Sequence, residues 1–337
     1  MDASRSKPRT MSIGGATFDL FVRTDQKFMK EDGGGKTLNL PIGAKVRVLD
    51  VIETCGGGAS NTAVGLSRLQ CDAAFCGVVG SDQWGEKLLK NLQSEHVDTR
   101  WATVVDGETS SFSIILSVSS GERIILYEPG TNEHLHDVTF DREEIRHRNW
   151  IFLNHLHKDS IAIQDDLSHA LGQAAGSVGL TWNPGGAQVE QGCSAPAHLQ
   201  LLGHTSLLLL NKEEALAFTK KENVEEATKK LLDTGARIVC ITDGGNGATA
   251  TDKNGSWYCP SKGEDVVDTT GAGDAFGIGC TWALVNGFDL PTMLQAGTIN
   301  ATSVLSQMGA QAGLLTDIEM RTRLQSRPPD VSARKHS

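Results

Sequence analysis

Four short, mostly apolar runs constrain this chain more than anything else in it: "NWIFLNHL" at 149–156, "VGLTWNP" at 178–184, "HTSLLLLN" at 204–211 and "ARIVCIT" at 236–242. A strand open to water on one face alternates apolar and polar residues, so a strand without alternation is covered on both faces. Helical patterns separate the runs, and that order predicts a mostly parallel sheet between two helical layers, a three-layer α/β/α domain. Two regions depart from it. Residues 20–52 and about 108–128 alternate polar with apolar around Gly turns, as in "SSFSIILSVSSGERIILYE", where Gly121 marks a hairpin. These segments are assigned to a small β-sheet lid.

At 337 residues the chain can bury a large core. Its formal charge of −10 argues against a surface that neutralises nucleic-acid phosphates or binds an anionic membrane. Seven scattered cysteines without a C-x-x-C pair suggest neither a disulfide framework nor a zinc ribbon, so a reducing, cytoplasmic setting is expected. No window is apolar over the length of a membrane span. The polar opening "MDASRSKPRT" (1–10) and the end "SRPPDVSARKHS" (326–337) read as a disordered leader and tail around one domain at 11–325. The charge-rich "ENVEEATKK" at 222–230 reads as a solvated helix face.

Chemistry concentrates in "VVDTTGAGDAFGIG", where Gly271, Ala272 and Gly273 lie between Asp268 and Asp274. Phe276, Cys280, Ala283 and Leu284 then follow at helical spacing, so a helix begins near Gly273. Its first N–H groups have no intrahelical acceptor, and the small residues let an anion reach them. A carboxylate next to a phosphate-attracting site suits deprotonation of an alcohol that attacks a phosphoryl group. The plainer alternative is that Asp274 is only an acidic first-turn residue.

This stretch resembles the C-terminal signature "D-T-x-G-A-G-D" of the ribokinase-like (PfkB-type) sugar and nucleoside kinases. The resemblance runs over about 11–315 and implies the ribokinase-like fold, an ATP-dependent kinase, and Asp274 as catalytic base with Gly271, Ala272 and Gly273 as the anion hole. "SIGGATFDLFV" is similar to the family's first strand, placing Asp19 on the acceptor sugar. "CGGGASNTAVGLSRL" is similar to its N-terminal Gly-rich signature, which adds Gly56, Gly57 and Asn61 as substrate contacts. "LLLLNKEEALAF" resembles the N-x-x-E element, with Asn211 near the phosphates and Glu214 organising magnesium through water. "CITDGGNGATATD" resembles the nucleotide turn through Thr242, Gly244 and Gly247, with Asn246 where relatives often carry a basic residue; Asn300 falls on the helix that flanks adenine. Asp268 lies where many members hold a monovalent cation such as potassium, and lids of this family often pair into a homodimer.

Other motifs carry less. "GGGKT" at 33–37 mimics a P-loop ending, but the required first Gly falls at Lys30. His134/His136 and His155/His157 would each point the same way on a strand, a metal pair lacking a third ligand. The second pair ends an expected strand on the ligand-binding edge, where a different substrate is one explanation. A nucleoside substrate would use Phe112 or Tyr127 as an aromatic clamp, and a phosphosugar would use Lys45, Arg47 and Arg123. A non-catalytic binder of the same fold would need no base.

Overall fold

The apolar runs form the middle of one ten-stranded sheet. The computed structural model describes residues 6–32, 35–118, 123–137, 142–157, 163–262 and 266–334. Along the sheet the strands are Ser332–Arg334, Gly255–Cys259, Ala248–Asp252, Val239–Thr242, Leu207–Asn211, Gly179–Trp182, Trp150–Leu153, Arg9–Ile13, Asp72–Gly80 and Asp98–Val105. From Val239–Thr242 to Asp98–Val105 every pairing is parallel, and the three remaining strands are antiparallel.

Consecutive leucines show why alternation is missing. Leu207 and Leu209 enter one hydrophobic core, and Leu208 and Leu210 enter the other. Successive side chains on a strand point to opposite faces, so both faces must be covered. The first core is completed by helices Gly58–Arg68, Gln83–Ser94, Ala272–Val285 and Leu290–Leu305. The second is completed by Ile163–Gln173, Pro196–His204, Lys212–Thr219 and Val224–Asp233.

The expected lid is a four-stranded sheet in the order Asp50–Gly56, Thr17–Arg23, Phe112–Ser117, Arg123–Glu128. Its strands run a few residues past the expected segment, from Thr17 and to Gly56. Gly121 lies outside the described residues, yet Ser117 pairs with Arg123 across that position, closing the hairpin. A second small hairpin joins Met29–Asp32 to Gly35–Leu38, so "GGGKT" feeds a strand and no helix.

Both ends differ from expectation among the described residues. Arg9 and Thr10 already belong to a central strand, with Thr10 between Trp150 and Ala73. At the other end Ser332–Arg334 pairs with Gly255–Cys259, and the Arg334 guanidinium lies 4.6 Å from the Tyr258 ring. Composition hides both, because backbone hydrogen bonds and one cation–π contact hold residues that are polar. His134 and His136 sit on a 3-10 turn at Gly130–Asp137 instead of a strand, with His134 Nε2 2.8 Å from Glu108. Among the described residues no helix is long and apolar enough to cross a membrane.

Candidate functional site

The "GAGD" loop opens the helix Ala272–Val285, whose Ala275, Ile278, Cys280 and Trp282 are fully buried and fix it in the core. Gly271 is its N-cap at φ 77°, a left-handed conformation, and a Cβ there would lie 2.3 Å from the Ala310 Cβ. Gly is required on both counts. Gly273 is the reverse case: a Cβ would meet nothing within 4 Å, so the helix end is open to an incoming group. The Ala275 N–H bonds the Gly271 carbonyl at 2.8 Å, which leaves the Gly273 and Asp274 N–H groups without an intrahelical acceptor. Aligned peptide dipoles make this end attract anions.

Asp274 accepts a hydrogen bond from Asn61 Nδ2 at 2.8 Å. Burial pushes its carboxyl above the ordinary carboxylate range, opposed by the Asn61 amide and by His155. A carboxylate made more basic in this way is suited to take a proton. Asn61 thus meets the candidate base Asp274, where a sugar contact was expected.

Gly56 and Gly57 serve packing of a particular kind. A Cβ on Gly56 would lie 2.4 Å from Asp19 Oδ2, and one on Gly57, at φ 89°, would lie 2.6 Å from Thr17 N. The bare strand end therefore lets the Asp19 carboxylate in. Asp19 is only 7% exposed, and burial raises its pKa to about 6, moderated by the Ser113 hydroxyl and reinforced by Asp268. Beside Gly57 opens a cavity of about 450 Å³ whose wall includes Thr17, Tyr127, Asn132, His155, His157 and Glu190. The Asn132 Oδ1 is buried with no hydrogen-bond partner among the described residues. Such an atom is costly unless a ligand or water supplies a donor. Of the expected acceptor contacts, Gly57 lines this cavity, while Asp19, Gly56 and Asn61 stand outside its wall.

On the side where a nucleotide was expected, Asn211 and Thr242 are register partners at the tips of adjacent strands. Asn211 and Glu214 form a capping box: Glu214 N–H donates to Asn211 Oδ1 at 2.8 Å, and Asn211 N–H to Glu214 Oε2 at 2.9 Å. That bond occupies Oε2 and leaves Oε1 for a water-mediated contact. No group of three His, Cys, Asp or Glu able to hold a metal exists among the described residues. A single carboxylate fits magnesium carried on phosphates with most of its waters retained. In the turn, Gly247 at φ 88° would place a Cβ 2.2 Å from the Cys259 carbonyl oxygen, whereas Gly244 is open. Lys212 Nζ lies 3.2 Å from Asp243, a cation at this turn that sequence reasoning missed.

Two expected contacts are corrected. Asn300 is fully buried, its Nδ2 donating to the Ala275 carbonyl at 2.8 Å and its Oδ1 accepting from Leu315 N–H at 3.2 Å, so its amide ties core elements and offers no exposed surface to a ligand. Asp268 is committed to protein donors: Arg123 Nη1 at 2.5 Å, Thr270 N–H at 3.0 Å, Thr270 Oγ1 at 2.8 Å and Gly309 N–H at 3.0 Å. Burial alone would raise its pKa, but these bonds and the guanidinium hold it below the ordinary value. Its cationic partner is Arg123 from the lid, an arrangement that does not fit a free monovalent ion on this carboxylate.

Sequence reasoning also missed Asn132 in the cavity wall and two buried amides, Asn154 and Gln311. Asn154, Asn183 and Asn211 each end or follow an apolar strand at its carboxyl edge, where ligands of parallel sheets bind, and that recurrence was a usable signal. Gln311 sits in a loop with no such mark.

Comparison with known proteins bears on the family and the fold. An uncharacterized sugar kinase of Archaeoglobus fulgidus is 27% identical over 76% of this chain and all of that protein. An ATP-dependent ribose-1-phosphate kinase of Halopiger xanaduensis is 27% identical over 81% of this chain and 84% of its own length. The structure of Arabidopsis thaliana ribokinase complexed with ribose and ATP superposes with a TM-score of 0.77 at 20% identity, over 95% of this chain and 99% of that one, which shows a shared fold. The family model described as pfkB family carbohydrate kinase matches residues 31–317, from the small hairpin at Met29–Leu38 through the "GAGD" loop and Gln311, and the chain belongs to that family.

Proposed function

We propose that this kinase transfers the γ-phosphoryl group of ATP to a hydroxymethyl group of a sugar or sugar derivative, with Asp274 as general base. The observation that carries the reading is one helical turn in which the unobstructed Gly273 amide precedes a carboxylate held by Asn61 at 2.8 Å. Charge on the transferring group spreads over its equatorial oxygens, where the loop Gly271, Ala272 and Gly273 stabilises it through the N–H groups of Gly273 and Asp274. Asp274 takes the alcohol proton as the new O–P bond forms and the bond to ADP breaks. Asn211, Thr242, Gly244 and Gly247 form the nucleotide edge. Glu214 would hold magnesium through water, and the metal offsets charge on the phosphates when bound.

The acceptor occupies the cavity by Gly57, where Asn132 Oδ1 awaits a hydroxyl donor and Asp19 reaches the same strand ends. Closure of the lid over it excludes water that would hydrolyse ATP. An unphosphorylated acceptor is favoured, because Lys45 and Arg47 line a different cleft with Asp25 and Phe28, and Arg123 is engaged by Asp268. Tyr127 in the cavity wall favours the second reading, a nucleoside acceptor; Phe112 packs against the core. All seven cysteines are free thiols and six are buried, which suits a cytoplasmic location.

The test is ATP consumption with ribose, fructose, 2-keto-3-deoxygluconate, fructose 6-phosphate and adenosine. A sugar is expected to give the highest kcat/KM. Asp274→Asn should lower kcat by about 10²–10⁴-fold with nucleotide binding retained. Wild-type turnover in that variant would exclude Asp274 as the base.

A further inference from the structure

We infer that Gln311, outside every motif above, is a positioning residue that fixes the sense of the Asn61 amide and so the proton acceptance of Asp274. The inference rests on the reading of Asp274 as the base. An ionised carboxylate only accepts hydrogen bonds, so the Asn61 atom 2.8 Å from Asp274 Oδ2 must be Nδ2. Asn61 Oδ1 then points the other way and needs a donor. Gln311 Nε2 lies 3.1 Å from it and 3.1 Å from Ser60 Oγ. That assignment turns Gln311 Oε1 outward, where Asn91 Nδ2 donates at 2.8 Å. Three amides in series therefore share one direction, with the carboxylate at the receiving end.

An amide can rotate by half a turn with almost no change in shape. The flipped Asn61 would place Oδ1 against the carboxylate, and Gln311 selects against it. Gln311 is itself held, since its carbonyl accepts from Arg68 Nη1 at 2.7 Å and Arg68 is paired with Glu95 at 2.6 Å. The same loop reaches the other working parts: the Gly309 N–H bonds Asp268, and Ala310 packs on Gly271. The charged groups around the chain are His155, which favours ionised Asp274, and the pairs Arg68–Glu95, Lys87–Glu53 and Arg123–Asp268. The three pairs are internally matched and His155 is common to every Gln311 variant, so amide sense is the variable that Gln311→Met changes.

The experiment compares kcat/KM between about pH 5 and 9 for wild type, Gln311→Glu, Gln311→Met and Gln311→His, with thermal melting as a check on folding. In Gln311→Glu the new carboxylate accepts from Asn61 Nδ2, turning Oδ1 toward Asp274. The acid limb should move up by about one pH unit, a loss of about tenfold on that limb that recovers as pH rises, with KM for ATP unchanged. Gln311→Met should shift the limb in the same direction, and Gln311→His, which keeps a ring N–H donor, should restore it. Ser60→Ala keeps the Gln311–Asn61 bond and should leave the limb in place. A wild-type limb in both Gln311→Glu and Gln311→Met, or a fall in kcat equal at every pH, overturns the inference. Carbon-13 NMR of aspartate-labelled protein, with Asp274→Asn assigning the resonance, reads the same titration without turnover. A protein that phosphorylates no acceptor but shows the carboxyl shift in Gln311→Glu fails the kinase reading alone, and an unshifted resonance fails the inference alone.

Discussion

Asp19 is a buried carboxylate whose environment does little to stabilise its charge. Its pKa rises from 3.8 to about 6, with burial as the main cause. The folded state therefore binds the proton more tightly than the unfolded chain, so stability falls as pH rises from about 4 to 6 and stays lowered above. The cost at neutral pH is up to about 3 kcal/mol, from roughly two pK units. Asp19→Asn is expected to melt higher than wild type at neutral pH, with the difference vanishing near pH 4, while KM for the acceptor rises. Equal melting of the two proteins at neutral pH would remove Asp19 from the strained set. Such a residue makes physical sense where a ligand hydroxyl supplies the missing donor. Gly56, Asp19 and Asn61 were legible in the sequence as a group, but their division of labour was not, because it depends on contacts such as Asn61–Asp274 that join residues 213 apart.

At the scale of elements, the Asn211–Glu214 pair does two jobs that substitutions can separate. As a capping box it satisfies first-turn N–H groups of the helix Lys212–Thr219; as a charge it stands at the edge proposed to take the nucleotide. Glu214→Gln keeps an oxygen able to accept from Asn211 N–H, so melting should hardly move while the magnesium concentration for half-maximal rate rises. Asn211→Ala should instead cost about 1 kcal/mol of stability. A melting loss in Glu214→Gln with unchanged magnesium dependence would make the residue a cap alone. The motif was readable as a sequence pattern, and the strand and helix around it followed from their periodicity. Asn300 was misread for the opposite reason: its place on a helix was right, but which face met the core required the packing of Leu290–Leu305 on Ala272–Val285.

Across the whole molecule, layer order was legible because apolar runs without alternation admit few architectures. The outer strands were less so, since Ser332–Arg334 is held by backbone pairing and carries no apolar signal. Among the described residues the lid leaves an unpaired outer strand, Arg123–Glu128, with Ile124, Ile125 and Leu126 at 41%, 51% and 51% exposure. An apolar sheet edge of this kind favours association, and a homodimer through the lid is the expected state. Ile125→Lys should shift the sedimentation coefficient from dimer to monomer, and a wild-type protein that sediments as a monomer at micromolar concentration would dismiss it. The strand Arg9–Ile13 enters the sheet at the amino edge and delivers Gly14 and Gly15 to the opposite one, where the cavity lies. A support grafted onto the amino-terminal flank would therefore hold the molecule by its back, leaving the reacting side turned toward solution.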